Sequence, residues 1–318
     1  MTGGCMALIA PRIAAQEPAT TYPNRAIRIV VGFPPGGATD IVARAVAQKL
    51  QEALGQSVLV ENKAGGGSNI AAEIVARADA DGYTLLLGTI ANATNMSVYR
   101  NLRYDTLRDF APISQLMSAP SVLVVTPGFP ASDVNGLVEL ARARPGTLTY
   151  ASSGAGGSPH LAGALLELRA GVRMVHVPYR GAAPALTDIA AGNVHLGFQT
   201  ALSALPAMQT GRLKALAVAA NNRLQQLPAI PTMAEAGFPD FEVSSWNGLL
   251  APARTPEAVI SRLHTELARI VGMPDIRERF AAQAAEAVGS SPGQFRDYIA
   301  AEIKRWAEVA RSADITLN

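Results

Sequence analysis

The stretch Ala26-Ile27-Arg28-Ile29-Val30-Val31-Gly32-Phe33-Pro34-Pro35-Gly36-Gly37-Ala38-Thr39-Asp40 decides the fold class. Ala26 to Phe33 is a β-branched apolar run, the pattern of a buried strand. From Ala38 onward, Ile41, Val42, Ala45, Val46 and Leu50 recur at helical spacing. The Gly36-Gly37 pair is the turn between them. The same construction returns at Leu148 to Ala151, where a short strand runs into Ser152-Ser153-Gly154-Ala155-Gly156-Gly157-Ser158-Pro159-His160 and a helix over 159–168. A strand, a glycine turn and a helix start make an anion site, because backbone N–H groups converge there and the helix end carries roughly half a positive charge. The chain has 318 residues, beyond the roughly 250–300 at which single cores stop growing. Two such turns in a chain of that length predict a ligand held between two α/β lobes.

Working outward, Ser57 to Glu61 reads as a second strand, and Gly65-Gly66-Gly67-Ser68 opens a helix over 69–77 with Ser68 as its N-cap. Tyr83 to Gly88 is a third strand. This alternation argues for a parallel sheet covered by helices. Phe110 to Val125 reads as two strands broken at Ala119-Pro120. Helix 134–144, strand 148–151, helix 159–168, strand 174–177, helix 183–191 and strands 194–198 and 213–219 repeat the alternation. Val243 to Pro252 is extended. Helices over 256–271, 274–285 and 292–313 each open near a proline, which tolerates the first helical turn. No internal repeat of about 20–50 residues is visible; the likeness of the two halves is architectural rather than textual.

Composition narrows the function classes. The chain is 49% hydrophobic and 16% charged, with a net charge of +2. A large core is available, and nothing in the charge balance calls for nucleic acid or a polyanion. The single cysteine, Cys5, excludes an intramolecular disulfide and a cysteine-based metal site. Residues 1–21 read as a secretory signal truncated at its start. Cys5 to Ala10 is a short apolar core, and Ile13 and Ala15 stand at −3 and −1 of a signal-peptidase site before Gln16, although no basic segment precedes them. The alternative is an ordinary leader. No later run reaches the roughly 18–20 apolar residues of a membrane span.

The chemistry-bearing residues gather at the two turns. Glycines 154, 156 and 157 let a ligand approach the backbone, Ser158 can cap the helix, and Pro159 suits its first turn. The competing reading is a plain βα turn. Asp40 is either a first-turn acid that complements the helix dipole or an acceptor for a ligand donor or a neighbouring loop. Thr89, Asn92, Thr94 and Asn95 form a polar loop after the third strand, at the edge where α/β sheets bind ligands. Nucleotide motifs fail: the Walker lysine is missing, Pro159 replaces the third glycine of the dinucleotide fingerprint, and no acid follows the next strand. Gly-x-Ser-x-Gly is not satisfied, and Ser158 and His160, two apart at a helix start, do not face each other. His160, His176, His195 and His264 lack metal-ligand spacing. Neither a cofactor nor a metal is expected.

Several motifs together resemble the Bug solute receptors, the extracytoplasmic substrate-binding proteins of tripartite tricarboxylate transporters. They are Tyr22-Pro23-Asn24-Arg25, Pro34-Pro35-Gly36-Gly37 with Asp40, Glu61-Asn62, Asp81-Gly82-Tyr83-Thr84-Leu85-Leu86, Gly154 through Gly163 and His176-Val177-Pro178-Tyr179-Arg180-Gly181. Asp188 with Gly192, Pro231-Thr232 with Glu235, and Trp246 with Ala251-Pro252 continue the resemblance. It implies a periplasmic-binding-protein type II-like α/β fold of two mixed lobes joined by two crossovers with the ligand cleft between them, 22–124 and 222–318 forming one lobe and 125–221 the other. It further implies a small carboxylate ligand (a di- or tricarboxylate, an acidic amino acid or an aromatic acid), held largely by backbone N–H groups and bridging waters. The expected pocket residues are Phe33, Gly36, Gly37, Ala38, Asp40, Thr89, Asn92, Ser153, Gly154, Gly156, Gly157, Ser158, His160, Tyr179, Gly181, Ala182 and Trp246. The expected partners are the membrane subunits of such a transporter, met by a periplasmic, monomeric protein that is not an enzyme. A receptor signalling to a sensor kinase and an α/β enzyme with an inter-lobe active site are the alternatives. The segment Gly88-Thr89-Ile90-Ala91-Asn92-Ala93 departs from the family pattern, so recognition of the ligand's distal end transfers least.

Overall fold

The computed structural model describes residues 22–282 and 284–317. The expected leader lies outside them. In chain order the first elements are β1 (Ile27–Val31), α1 (Ala38–Leu54), β2 (Val58–Asn62), α2 (Asn69–Ala76), β3 (Thr84–Thr89), α3 (Ile90–Val98), α4 (Thr106–Asp109) and β4 (Phe110–Val125). Next come α5 (Val134–Ala143), β5 (Thr149–Ser152), α6 (Ser158–Ala170), β6 (Val175–Pro178), α7 (Ala182–Ala191), β7 (Leu196–Thr200), α8 (Ala201–Gln209) and β8 (Lys214–Ala219). The chain closes with β9 (Ser244–Pro252), α9 (Glu257–Val271), α10 (Pro274–Ala281), β10 (Glu286–Ala287) and α11 (Pro292–Ser312).

The strands join in the order β2-β1-β3-β9-β4-β7-β5-β6, with β8 and β10 also paired to β4. β4 is the spine. It is one continuous strand, not two broken at Ala119-Pro120. What changes there is its partner: Phe110 to Pro120 pair with β9, and Ser121 to Val125 pair with β7 and β8. Pro120 has no N–H to give, and a position where one ladder ends and another begins loses least by that. The return path runs beside it, since Ser121 donates its N–H to the Val243 carbonyl and Val243 donates to Ala219.

The registers fix where the helix starts face. β1 is parallel to β3, β3 is antiparallel to β9, and β9 is antiparallel to β4, so β1, β3 and β4 run the same way. β7 is antiparallel to β4, and β5 and β6 follow β7, so those three run the opposite way. β3 ends at Thr89, level with Asn247 and through it with Met117; β7 ends at Thr200, level with Ser121. The C-terminal ends of the two strand groups therefore approach the β4 partner switch from opposite sides. Met117 and Ser121 are separated by ~13 Å of strand at about 3.3 Å per residue.

Packing explains the helices. α1 buries Val42, Ala43, Val46 and Leu50 against Ile27, Ile29 and Val31 of β1 together with Leu263 and Leu267 of α9. On the other face one apolar cluster runs through both strand groups, joining Val30 and Leu86 to Leu123, Leu161 and Leu165, with Phe295 and Trp306 of α11. A third cluster packs Ala185 and Ile189 of α7 and Leu205 of α8 on Val122 and Val124.

Candidate ligand-binding site

The two glycine turns are built on one device. Gly36 has φ 81° and Gly156 φ 77°, a region that glycine enters without steric cost. The next residue is the N-cap in each case: Gly37 at φ −79°, ψ 169° and Gly157 at φ −75°, ψ 166°, neither helped by a side-chain cap among the described residues. Each N-cap carbonyl then accepts the first helical bond, from Ile41 and from Leu161. The third helical residue reaches back to the positive-φ glycine. Asp40 Oδ2 accepts from Gly36 N–H at 2.9 Å, and His160 Nδ1 accepts from Gly156 N–H at 3.1 Å. The remaining first-turn N–H groups lack intrahelical acceptors and lie at the positive end of each helix dipole. Pro159 contributes none, because it carries no N–H. The structure thus supplies the textual parallel between the halves: Gly-Gly-x-x-acceptor, with aspartate in one and histidine in the other.

Asp40 is a brace. It is buried at 3% exposure and also accepts from Arg44 Nε at 2.9 Å and from Asn62 Nδ2 at 2.9 Å. Asn62 Nδ2 donates to the Phe33 carbonyl as well, tying the start of the turn to its end. Burial alone would raise the Asp40 carboxyl, but the hydrogen bonds from Arg44, Gly36 and Asn62 outweigh it and hold the group below the ordinary aspartate range.

The second turn rests on a pair of imidazoles. His160 and His176 stack with centroids 3.8 Å apart and planes within 10°, and Tyr150 continues the stack on His176 at 5.0 Å. His176 Nε2 meets Ser152 Oγ at 2.6 Å, and Ser152 Oγ bonds the Gly154 carbonyl at 3.0 Å. Burial pushes His160 down to about 4, and burial together with its neighbour's charge pushes His176 down to about 3. Both rings are therefore neutral at pH 7, as the acceptor role of His160 Nδ1 requires. Ser152–His176 has the distance of a nucleophile and base, but Ser152 is completely buried, so its hydroxyl is committed to the turn.

Other expected residues divide. Ser153 and Gly154 border the turn, and Gly181 donates its N–H to the Ser153 carbonyl, which brings Tyr179, Gly181 and Ala182 alongside. Tyr179 turns its hydroxyl onto Asp188 at 2.6 Å. Ala38 and Ala182 are the first residues of α1 and α7. Ser158 is not the cap expected of it: Gly157 holds that position, and Ser158 is already helical. Ser68 does occupy the N-cap of α2 but makes no side-chain cap bond among the described residues, because φ 76° turns it toward Gly32 instead. The polar loop after β3 is in fact α3. Thr89 caps it in a capping box with Asn92, so both side chains serve the helix start. Trp246 does not line the cleft. It is fully buried, edge-on to Phe295 at 5.4 Å and Tyr298 at 6.0 Å. Asn62, Ser152 and His176 were missed as site residues, although Ser152 stands in the quoted turn and the other two in quoted motifs. Among the described residues no three His, Cys, Asp or Glu side chains gather as metal ligands.

The family and the structures that this chain matches are solute-binding receptors and not enzymes. The sequence matches the family model described as "Tripartite tricarboxylate transporter family receptor" over residues 42–315, and the chain belongs to that family. It is 38% identical over 308 residues to protein BugT of Bordetella pertussis, covering 96% of this chain and 94% of BugT. Among solved structures it is similar to R. palustris Rpa4515 with adipate, at 39% identity and a TM-score of 0.88, covering 93% of this chain and 99% of that one. It is also similar to MatC from Rhodopseudomonas palustris with bound malate, at 32% identity and a TM-score of 0.86, covering 91% and 99%.

Proposed function

We propose that this protein captures a small carboxylate between its two strand groups and delivers it to the membrane subunits of a tripartite tricarboxylate-type transporter. The observation that carries the proposal is the pair of matched Gly-Gly turns, each ending in a helix start and each following a strand that runs toward the β4 partner switch. Two helix ends supply about one unit of positive character, enough to balance one carboxylate without an arginine. The adipate and malate held by the two similar structures support a dicarboxylate. Residues 22–124 with 222–318 act as one lobe and 125–221 as the other, closing on the ligand about the β4 switch and its return strand. Gly37, Ala38, Gly157 and Ser158 turn backbone N–H groups to the ligand, Gly36 and Gly154 leave room for its approach, and well-ordered water bridges complete the contacts. Phe33, Asp40, Ser153, Gly156, His160, Tyr179, Gly181 and Ala182 shape the pocket. The protein works in the periplasm as a monomer; among the described residues no helix is long and apolar enough to cross a membrane.

A thermal-shift screen of ligand-free protein against di- and tricarboxylates, acidic amino acids and aromatic acids tests this. Ligand at 100 times its Kd adds about 2.7 kcal/mol, several degrees for a protein of this size. A shift confined to acids supports the proposal; no shift with any acid refutes it.

A further inference from the structure

The second glycine turn is seated in a socket on the first strand group. Thr94 of α3 donates its hydroxyl to the Gly156 carbonyl at 2.6 Å, and both residues are buried. The next residue, Asn95, sends its amide N–H groups to the Gly67 carbonyl at 2.8 Å and to Asn69 Oδ1 at 2.6 Å. Both partners are acceptors, and Asn69 Oδ1 also accepts from the Tyr104 hydroxyl, so the Asn95 amide cannot be reversed. Its Oδ1 therefore faces the turn, 3.4 Å from where a β-carbon on Gly156 would stand. That same β-carbon would meet Val98 Cγ2 at 3.1 Å and Leu317 Cδ1 at 3.7 Å. Leu317 is tied to α3 in turn, donating its N–H to the Val98 carbonyl.

Gly156 lies between two peptide units, and the two are held from different halves of the molecule. The first gives its N–H to His160, on α6 itself. The second presents its carbonyl to Thr94, on α3. This second unit also carries the Gly157 N–H, at the N-cap of α6. Within the turn that N–H has only a long bond to the Gly154 carbonyl, at 3.4 Å, too weak to set the plane of the peptide. We infer that Thr94 is a positioning residue for ligand binding: it fixes the Gly156–Gly157 peptide plane, so that the first half of the molecule sets the donor geometry of the second half's anion site. The inference rests on the proposed role of the α6 N-terminus in holding the ligand.

Thr94→Val removes the hydroxyl and keeps the shape; Thr94→Ser keeps the hydroxyl. Adipate and malate are titrated calorimetrically into the wild type and both variants, and the Gly157 amide is followed by nitrogen-15 NMR. Losing one hydrogen bond predicts a loss of affinity of about 3- to 10-fold in Thr94→Val, near wild-type affinity in Thr94→Ser, and a displaced Gly157 resonance in Thr94→Val only. Wild-type affinity together with an unmoved Gly157 resonance in Thr94→Val overturns the inference. If neither acid binds the wild type, the dicarboxylate reading fails, the titrations use whichever acid the thermal-shift screen selects, and the Gly157 resonance tests whether Thr94 sets the peptide plane. Should Thr94→Val not fold, Thr94→Ala takes its place with the same two readouts.

Discussion

The stacked His160–His176 pair makes a pH signature that can be worked out in advance. An unfolded histidine titrates near 6.5, whereas these two are pushed down to about 4 and about 3 in the folded chain. In the interval the unfolded chain binds more protons, so stability must fall as pH drops below 6.5 and stop falling only near the folded values. The slope approaches 1.4 kcal/mol per pH unit for each ring, and integrating from pH 8 to pH 5 gives about 2 kcal/mol per ring. His160 is nearly closed off at 7% exposure, while His176 is only partly buried. The contribution of His176 is accordingly smaller, and the pair should lose about 2–4 kcal/mol over that range. Urea unfolding of wild type and of a His160→Gln, His176→Gln double variant at pH steps from 8 to 5 isolates the effect, because the carboxylates are common to both. The wild type should lose that much more stability than the variant. Equal losses, or imidazole NMR resonances of His160 and His176 that titrate near 6.5, would refute a neutral, buried pair.

Further outcomes follow from the turns. A β-carbon on Gly37 or Gly157 meets nothing closer than 3.5 Å, and neither φ is positive. Gly37→Val and Gly157→Val should therefore fold, by circular dichroism and urea midpoint, yet lose carboxylate binding in calorimetry. Gly156→Ala must place a β-carbon at φ 77° within 3.1 Å of Val98, and urea unfolding should show a loss of about 1–3 kcal/mol. Asp40→Ala leaves the Gly36 N–H and Arg44 Nε without their acceptor and should cost about 1–3 kcal/mol by the same assay, with Asp40→Asn milder. Trp246→Ala empties a core site and should cost about 3–5 kcal/mol while the folded protein keeps its ligand affinity.

The βα alternation and the two glycine turns were legible because each rests on local chemistry: β-branched runs, glycine at positive φ and helical spacing read without knowledge of partners. The long-range consequences were not. Pro120 signals a break to a reader of the chain, but a strand can pass through it when a ladder ends at that residue. The α3 segment looked like a loop because Thr89, Asn92, Thr94 and Asn95 are polar, yet each finds its role within the fold: two in a capping box, one on Gly156, one on Gly67 and Asn69. Trp246 belonged to a quoted motif, and only the packing of Phe295 and Tyr298 against it assigns it to the core. Asp40 and His160 stand at matching positions in two dissimilar sequences. Their shared role became visible only when both were seen to accept from a glycine N–H.

The central claim is that backbone N–H groups at two helix starts hold a negative charge. Calorimetric titration of ligand-free protein with adipate and malate, set against the corresponding neutral diamides, tests it most directly. The account predicts saturable binding of a dicarboxylate and none of its diamide. A diamide that binds as tightly as its acid, or a protein that binds neither, would contradict it.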